Sequence, residues 1–336
     1  MAGTDQPMRR EHLDLLVCPA CRGALLLSGT AQTEQILEGS LGCPSCAASY
    51  PIRGGVPRFV EAANYAAGFG LQWNTHARTQ YDSFNGTRIS ETRFFAQTKW
   101  PRRMAGEVVL EVGSGSGRFT EQAASTGATV VSLEYSTAVD ANFAANGSRP
   151  NVLIVQADLY AMPLREASFD RVVCIGVLQH TPDVERSFRT LVACLRPGGH
   201  LAVDVYRKPR GVRRLFNTKY WVRPLTRRVP PATLYRVTSR YVNAMWPLAR
   251  LLARVPRIGR RLNWMLLLAD YQGLLPLSDP QLREWAVLDT FDMLAPAYDD
   301  PQDRATLERW FAEAGMRDIE VHHGYNGIEG RGSRPE

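Results

Sequence analysis

A glycine-rich turn in the middle of this 336-residue chain has the residue types best suited to binding a nucleotide-like ligand. Residues 111–117 read Glu-Val-Gly-Ser-Gly-Ser-Gly, after an apolar run and before a helical pattern over residues 118–125. Glycine has no Cβ, so it accepts a positive φ and lets the main chain come close to a ligand. A strand, a glycine turn and a helix in this order are typical of a nucleotide-binding corner. Taken alone, the pattern also fits any tight strand-to-helix turn.

Two carboxylates follow the next two predicted strands. Glu134 ends the apolar run 129–133, about 20 residues after the glycine turn, where one carboxylate can accept hydrogen bonds from both hydroxyls of a ribose. Asp158 follows the run 152–155 and so also lies at the carboxyl end of a strand. Open parallel sheets bind ligands at that edge. The alternatives are an exposed strand-end carboxylate for Glu134 and a helix cap or Asx-turn for Asp158.

The amino-terminal segment carries a separate metal-binding pattern. Cys18 and Cys21 form one CxxC pair, Cys43 and Cys46 form a second, and 21 residues separate the pairs. Four thiolates at this spacing suit a tetrahedral structural zinc with no open coordination position. Redox-active pairs or disulfides are the alternative, but a βαβ pattern of the thioredoxin type does not surround them. Two further cysteines, at positions 174 and 194, are expected to be small core residues.

The elements that position these residues alternate between strands and helices. Further strands are predicted over residues 169–176 and 201–205, with a Pro-Gly-Gly turn in residues 195–200 and helical patterns between the strands. This order predicts an α/β fold with a doubly wound, parallel sheet. A zinc ribbon precedes the sheet, and a helical lid is inserted after its fifth strand.

The ordered motifs resemble those of class I S-adenosylmethionine-dependent methyltransferases. They are the glycine turn, the acidic strand end and the segments QADLYAMPL, FDRVVCIGVLQHTPD and LRPGGHLAV, and the resemblance spans residues 107–205 and resumes over 307–331. It implies a Rossmann-like, mostly parallel seven-stranded sheet and S-adenosyl-L-methionine as cofactor, with the glycines near its methionine part, Glu134 on the ribose and Asp158 on the adenine. Tyr135 departs from the family, which often has a small residue there. The predicted cofactor-binding residues are Glu111, Gly113, Ser114, Gly115, Gly117, Glu134, Tyr135, Asp158, Leu159, Gly176 and Trp73.

His180 is the candidate catalytic residue. It lies at the carboxyl end of the fourth strand, where a methyl acceptor would arrive, and a neutral imidazole there can deprotonate a hydroxyl group. A structural role is the alternative, because Thr181 as N-cap and Pro182 at the first helical position would explain the neighbourhood. Methyl transfer is an in-line displacement that depends mainly on positioning, so a missing catalytic dyad does not count against an enzyme.

The flanking segments also resemble known domains. Residues 16–27 and 50–60 resemble the small zinc-ribbon domain related to the activator subunit of tRNA, rRNA and protein methyltransferases, which implies a stabilising or docking role. The lead-in, which contains Trp73 and Tyr81, resembles that of one methyltransferase branch and is predicted to cover the cofactor or to pack between the modules. Asp289, Asp292 and Tyr298 lie in a segment of the same branch that approaches the cleft, so they are acceptor-site candidates.

The net charge of +7 is concentrated in one segment. Residues 207–261 contain 16 Lys or Arg and no Asp or Glu, whereas the rest of the chain has 24 basic and 33 acidic residues. Three interpretations stay open for this lid: a solvated cap, a binding site for an anionic small molecule steered by residues such as Arg213 and Arg214, or a surface for nucleic acid or a membrane.

The predicted domains are a zinc ribbon (1–60), lead-in helices (61–105), an S-adenosylmethionine-binding domain (106–206), a basic helical lid (207–301) and a closing helix and strands (302–336). A polar amino terminus without a signal peptide and apolar runs shorter than the ~18 residues of a membrane span predict a cytoplasmic protein without a transmembrane segment. The predicted function is O-methylation of a small-molecule, metabolite or glycan-linked acceptor in a biosynthetic pathway. The alternatives are an RNA methyltransferase that uses ribbon and lid on nucleic acid, and a non-catalytic adaptor. The sequence does not indicate an oligomeric state.

Overall fold

A computed structural model describes residues 8–28, 35–209, 211 and 217–336. Arg213 and Arg214, named above for anion steering, lie outside the described residues. The amino-terminal module contains two small antiparallel sheets, one of two strands and one of four in the order β2-β4-β5-β6. Its strands are β1 (Met8–Arg9), β2 (Leu26–Ser28), β3 (Gln35–Ile36), β4 (Gly39–Gly42), β5 (Ser49–Arg53) and β6 (Val56–Pro57).

The two CxxC turns of this module have the same geometry. The amide of Arg22 donates to the carbonyl of Cys18, and the amide of Ala47 donates to the carbonyl of Cys43. Arg22 and Ala47 both have a positive φ, of 66° and 58°. Each turn therefore closes one residue after its second cysteine and directs both thiols of the pair to the same side.

A seven-stranded sheet forms the centre of the molecule, in the order β12-β13-β11-β10-β7-β8-β9. Strands β7 to β11 are parallel, and β13 pairs antiparallel with both β11 and β12, so six strands share one direction. This confirms the predicted mostly parallel, Rossmann-like sheet. The strands are β7 (Val108–Val112), β8 (Thr129–Glu134), β9 (Val152–Gln156), β10 (Phe169–Cys174), β11 (Leu195–Val205), β12 (Arg317–Gly324) and β13 (Gly327–Ser333).

Helices cover both faces of the sheet because its central strands are runs of buried Val, Ile and Leu. The lead-in contains α1 (Ala67–Thr75), α2 (Asp82–Asn85) and α3 (Ile89–Thr98), and the sheet domain contains α4 (Arg118–Ala124), α5 (Val139–Asn146) and α6 (Val184–Cys194). The lid contains α7 (Lys219–Thr226), α8 (Pro231–Ala253), α9 (Gly259–Met265) and α10 (Asp279–Leu294), and α11 (Arg304–Glu313) follows it. None of the helices in the described parts of the chain combines the length and apolarity of a membrane span.

Two local expectations were wrong. The N-cap of α6 is Asp183, whose carboxylate accepts from the amide of Arg186 at 2.9 Å, so Thr181 does not cap this helix. Strand β11 begins at Leu195 rather than after the Pro-Gly-Gly turn. The backbone of Gly198 and Gly199 hydrogen-bonds to Arg334, and Gly198 has a φ of 75°, so the glycine segment forms an irregularity within the strand.

The zinc-ribbon-like module packs against the edge strand β9. The amide of Phe59 donates to the carbonyl of Gln156 at 2.8 Å, and the amide of Val17 donates to the carbonyl of Pro163 at 2.9 Å. The guanidinium of Arg22 donates to the carbonyls of Met162 and Leu164. Apolar residues of the module belong to the same buried cluster as residues of β8 and β9, so module and sheet share one core.

Candidate active site

A cavity of about 580 Å³ lies between the carboxyl edge of the sheet, helix α1 and the lid. Its walls come from the lead-in, the strand ends, the lid and the β12–β13 turn, which are distant in sequence. Of the predicted site residues, those that line it are Trp73, Gly113, Ser114, Gly115, Glu134, Tyr135, Leu159, Gly176 and His180. Glu111, Gly117 and Asp158 lie nearby but are not among its lining residues.

The glycine turn has no room for side chains. Gly113, Gly115 and Gly117 have φ values of 76°, 55° and 92°. A Cβ on Gly113 would lie 2.3 Å from Cγ2 of Val177, one on Gly115 would lie 3.0 Å from Nε1 of Trp73, and one on Gly117 would lie 2.1 Å from Oδ1 of Asn142. Both the backbone conformation and the close packing therefore require glycine at these positions.

Glu134 is buried at the end of β8 and holds the turn in place. Its Oε2 accepts from the amide of Gly115 at 2.9 Å, and its Oε1 accepts from the amide of Ser136 at 2.8 Å. A carboxylate offers about four acceptor positions, so Glu134 can still accept from two further hydroxyl groups. Its place on the cavity wall suits a ribose diol, as the sequence predicts.

Glu111 lies beneath the turn. Its Oε2 accepts from the hydroxyl of Thr120 and, at 3.1 Å, from that of Ser132. The amide of Asn142 donates to Oγ of Ser114 at 3.0 Å and to Oγ of Ser132 at 2.9 Å, which links this buried network to the turn. Complete burial raises the pKa of the Glu111 carboxyl to about 7. The structure therefore places Glu111 as a support of the turn, not as a residue in the cavity.

Asp158 caps the short turn that follows it, as the alternative interpretation of this residue predicts. Its Oδ1 accepts from the amide of Tyr160 at 2.8 Å. The nearby ring of Tyr135 packs on that of Tyr65, with centroids 4.9 Å apart. Burial first, and the Asp158 carboxylate second, raise the pKa of Tyr65. Both rings line the cavity beside Leu159, so they form an aromatic wall where the resemblance places an adenine.

His180 is buried with its ring against the cavity. Its Nδ1 lies 3.0 Å from the backbone carbonyl oxygen of Tyr298, an acceptor, so Nδ1 carries the hydrogen. In the neutral imidazole, Nε2 then has the free lone pair. This Nε2 is buried and has no hydrogen-bond partner among the described residues. The rings of Phe69 and Tyr206 hold the imidazole, with centroid distances of 5.3 and 5.2 Å.

The opposite end of the cavity has aromatic walls and two carboxylates. Asp289 accepts from the hydroxyl of Tyr271, and Asp292 accepts from the hydroxyl of Tyr206 at 3.2 Å. Burial first, together with the nearby Asp292, raises the pKa of Asp289 to about 7. Asp289 and Asp292, two of the acceptor-site candidates, thus line the cavity, whereas Tyr298 contributes its carbonyl to His180.

Sequence reasoning missed an ion pair that positions the end of β10. Nη2 of Arg93 lies 2.9 Å from Oδ2 of Asp204, and Oδ1 of Asp204 accepts from the amide of Gly176 at 2.5 Å. Arg93 and Gly176 line the cavity, and the Asp204 side chain is completely buried. An aspartate inside the apolar run of β11 was the available signal, since buried carboxylates need partners.

Most of the lid's basic residues point away from this cavity. Among the described residues of the segment 207–261, Arg207 and Lys219 are the basic ones that line it. Nζ of Lys219 lies 2.9 Å from Oδ2 of Asp299, so its charge is already paired. The geometry therefore gives only weak support to an anionic acceptor.

The four cysteines of the CxxC pairs form a separate cluster. Their sulfur atoms all lie within 4.8 Å of one another, with 3.6 Å between Cys18 and Cys46 and 3.4 Å between Cys21 and Cys43. Tetrahedral zinc with bonds of about 2.3 Å needs sulfur atoms about 3.8 Å apart, so the donor set fits this ion. None of the four lines the cavity, which suits a structural metal.

Two family models match the chain. The one described as "Methyltransferase domain" matches residues 110–203, and the one described as "Trm112p-like protein" matches residues 9–55. The fold and these matches define a methyltransferase domain with a Rossmann-like sheet. The chain joins this methyltransferase domain to an amino-terminal Trm112p-like domain.

The curated relatives described here match about a third of the chain. The chain is 33% identical over 106 residues to a ubiquinone biosynthesis O-methyltransferase of Cupriavidus pinatubonensis, which covers 30% of this chain and 42% of that protein. It is 29% identical over 102 residues to a demethylmenaquinone methyltransferase of Thermobifida fusca, covering 30% and 43%. The chain thus spans less than half the length of these two relatives. A solved complex of the Haloferax volcanii Trm112 methyltransferase activator with a putative methyltransferase matches with a TM-score of 0.44 and 12% identity, over 82% of this chain and 100% of that one.

Proposed function

We propose that this protein transfers a methyl group from S-adenosyl-L-methionine to a hydroxyl oxygen of a small, largely aromatic or apolar acceptor. The observation that carries the proposal is the unpartnered Nε2 of His180, buried in the wall of a cavity that has a glycine turn at one end and aromatic side chains at the other. Both curated relatives named above are methyltransferases, and the one from Cupriavidus pinatubonensis is an O-methyltransferase by name, which supports the proposed reaction.

The cavity fits the cofactor at the glycine end. Gly113 and Gly115 line the cavity with main chain that carries no side chain, Glu134 offers acceptor positions for the ribose hydroxyls, and Tyr65 and Tyr135 offer flat surfaces for the adenine. When bound, the cofactor supplies an electrophilic methyl group on a sulfonium. The chain's own task is then to hold the acceptor oxygen in line and to exclude water.

His180 is the proposed general base. The carbonyl of Tyr298 fixes the tautomer, so Nε2 can take the proton of the acceptor hydroxyl while the oxygen–methyl bond forms. Phe69 and Tyr206 restrict the ring, which limits the reorganisation needed during the reaction. A base of this kind serves an acceptor hydroxyl that keeps its proton until attack.

An enclosed acceptor end favours a small molecule over RNA. The acceptor end of the cavity is lined by Tyr206, Tyr271 and Trp285 under the lid helices. The exposed arginines of the lid lie outside the cavity. A flat phenolic ring fits such walls better than a charged nucleotide does. RNA methylation and methylation of a glycan-linked hydroxyl are the competing activities. Each can be tested in the same turnover assay by supplying RNA or a glycan as the acceptor.

Cofactor binding tests the first half of the proposal. We expect S-adenosylhomocysteine to bind the zinc-loaded protein in calorimetry, and Glu134→Gln to weaken this binding by about 1–3 kcal/mol because the charged acceptor on the ribose is lost. Glu166→Gln, an exposed carboxylate elsewhere in the domain, is the control and should bind as the wild type does. Absence of binding to the wild type would also favour an adaptor without cofactor.

Turnover tests the second half. Incubation with S-adenosylmethionine and catechol or a prenylated phenol should give a product with one added methyl on oxygen. We expect His180→Gln to reduce kcat by about 100-fold or more while S-adenosylhomocysteine still binds with wild-type affinity. Equal turnover by this variant would exclude the histidine as base, and turnover of RNA or a glycan alone would exclude a phenolic acceptor.

A further inference from the structure

The outer surface of the lid combines exposed arginines with exposed large apolar side chains. Segment 207–261 has no acidic residue, so cations of the segment itself dominate this surface. Arg250 lies 3.2 Å from Oδ1 of Asp279 and is partly neutralised. Apart from Arg207, which lines the cavity, the exposed arginines in the described part of this segment are Arg227, Arg228, Arg236, Arg240, Arg250, Arg254, Arg257, Arg260 and Arg261.

Helix α8 has two apolar faces rather than one. Leu234, Val242 and Trp246 are buried towards the lid core. Val237, Leu248 and Leu251 lie on the opposite side, and Val237 and Leu251 are each 59% exposed. Arg240 and Ala244 lie between them at intervals of three and four residues, so one outward stripe carries both apolar and cationic groups. Helices that only cover a core typically carry polar residues on the outer face.

Helix α7 adds a second exposed apolar pair. Trp221 and Leu225 lie four residues apart, and they are 63% and 69% exposed. Arg227 and Arg228 follow directly and are also exposed. Apolar side chains and cations thus alternate here in the same way as on α8.

Hydrogen bonds bring α7, α8 and the end of α9 together. The hydroxyl of Thr218, just before α7, donates to the carbonyl of Met265 at 2.8 Å, and the hydroxyl of Tyr241 on α8 donates to the carbonyl of Leu266. Met265 and Leu266 are exposed at this junction, and the adjacent Trp264 lines the cavity. The exposed apolar surface therefore borders the acceptor end of the cavity.

We propose that this surface docks on an anionic lipid bilayer. The lid patch consists of Trp221, Leu225, Val237, Leu248, Leu251, Val255, Ile258, Met265 and Leu266 together with the nine exposed arginines. The apolar side chains insert at the level of the headgroups, and the arginines contact lipid phosphates and carboxylates. The inference concerns where the protein works, so it stands apart from the proposed function.

The chemistry of the lid patch favours lipid over its competitors. RNA pairs with arginine and tryptophan, but exposed Leu, Val and Ile side chains find no apolar partner on a nucleic acid. A second copy of this chain would bring two arginine surfaces together, and like charges oppose that contact. A bilayer surface with anionic lipids offers apolar partners to the exposed Trp, Leu, Val and Ile side chains and anionic partners to the arginines. None of the described helices has the length and apolarity of a membrane span, so the proposed contact is docking on the bilayer surface.

Flotation with vesicles tests the proposal on the full-length, zinc-loaded protein. We expect it to float with vesicles of phosphatidylcholine and phosphatidylglycerol, to float far less with pure phosphatidylcholine, and to lose binding as salt is raised. Arg236→Gln with Arg240→Gln should weaken the affinity by about five-fold for each arginine. Leu248→Ser with Leu251→Ser should weaken it by about ten-fold or more, because less apolar surface is inserted.

Matched variants elsewhere separate docking from general effects. Arg53→Gln with Arg103→Gln removes two exposed charges outside the lid, and Leu26→Ser with Leu37→Ser removes two exposed leucines of the ribbon. Both should bind vesicles as the wild type does, and thermal melting should show that all variants are folded. If the lid variants and the control variants lose vesicle binding equally, the proposal is wrong. Wild-type binding to a single-stranded RNA without binding to vesicles, a dimer in light scattering that the leucine variant abolishes, or no vesicle binding at all would also overturn it.

Discussion

Two glutamates of the glycine corner have similar chemistry and different surroundings. Glu134 meets the cavity and is held by two backbone amides, whereas Glu111 is enclosed among hydroxyl groups under the turn. The sequence predicted both as cofactor ligands because both belong to the same motif. Glu111 lies opposite Ser132 in the parallel register of β7 and β8, and Glu134 lies two residues further along β8, so both side chains are on the same face of the sheet. Their difference is position along the strands: Glu134 reaches the carboxyl edge, whereas Glu111 lies deeper, under the turn.

Burial of Glu111 predicts a pH-dependent stability. Its pKa is raised from 4.5 to about 7 in the folded protein. The folded state therefore binds this proton more tightly than the unfolded state, so stability falls as pH rises from 4.5 towards about 7 and is constant above. Glutamine does not titrate and keeps the side-chain size. We expect Glu111→Gln to gain stability relative to the wild type between about pH 5 and about pH 8, measured by urea unfolding.

The exposed carboxylate of Glu166 provides the control for this prediction. Glu166→Gln should differ from the wild type by the same small amount at both pH values. If Glu111→Gln also shows a constant difference, the carboxyl of Glu111 has an ordinary pKa and the buried network is more polar than its contacts indicate.

At the scale of elements, the sheet could be predicted from the sequence, but only part of the cavity wall could. Runs of apolar residues such as β8 and β9 have few ways to fold other than as buried strands, and the glycine turn follows from its residue types. Tyr65 reaches the cavity from the turn before α1, Arg93 reaches it from α3, and Asp204 reaches Gly176 across the sheet. These contacts join residues far apart in sequence, which local patterns do not encode.

Helix boundaries and helix faces show the same limit. Asp183 caps α6 in place of Thr181, because both residue types cap helices and only the course of the chain decides between them. The basic composition of the lid was evident, but its inner and outer faces became clear only from the packing of α8 against α10. The predicted roles of the cofactor residues and of His180 stay predictions.

A glycine pair tests whether the turn needs close packing as well as a positive φ. Gly113 and Gly106 have φ values of 76° and 87°, but a Cβ would strike Val177 at Gly113 and would meet nothing within 4 Å at Gly106. We expect Gly106→Ala to cost about 1–2 kcal/mol of stability from the backbone strain alone. Gly113→Ala should cost more and should weaken S-adenosylhomocysteine binding by about ten-fold or more, as measured by calorimetry. Equal effects of the two substitutions on stability and binding would mean that the turn can shift away from Val177.

At the scale of the whole molecule, the Trm112p-like domain and the methyltransferase domain share one buried apolar cluster. The first domain hydrogen-bonds to the β9 edge through Phe59 and to the following loop through Val17 and Arg22. An uncovered edge strand has free amides and carbonyls that promote aggregation, so this contact protects the sheet. The face of the ribbon that carries Val17, Arg22 and Phe59 is thus covered by the methyltransferase domain of the same chain.

We therefore expect loss of the metal to destabilise the β9 edge of the sheet as well as the ribbon. Cys43→Ser removes one of four thiolates, and a structural zinc supplies much of the folding energy of a small domain. We expect metal analysis to show zinc falling from one per chain to a small fraction. Hydrogen exchange should then accelerate in a peptide that covers β9, because the loosened ribbon no longer protects its outer amides. Peptides from β13, on the far side of the sheet, should change much less.

Cys194→Ser separates this effect from the general cost of altering a buried cysteine. Cys194 is buried at the end of α6 and does not belong to the four-thiolate cluster, so its variant should retain one zinc and normal exchange in β9. Unchanged zinc in Cys43→Ser would exclude the four-cysteine site. Zinc loss without faster exchange in β9 would mean that the shared core, not the metal, holds the ribbon on the sheet. The two readouts together therefore distinguish a zinc that only completes the ribbon from a zinc that stabilises the whole chain through the β9 edge.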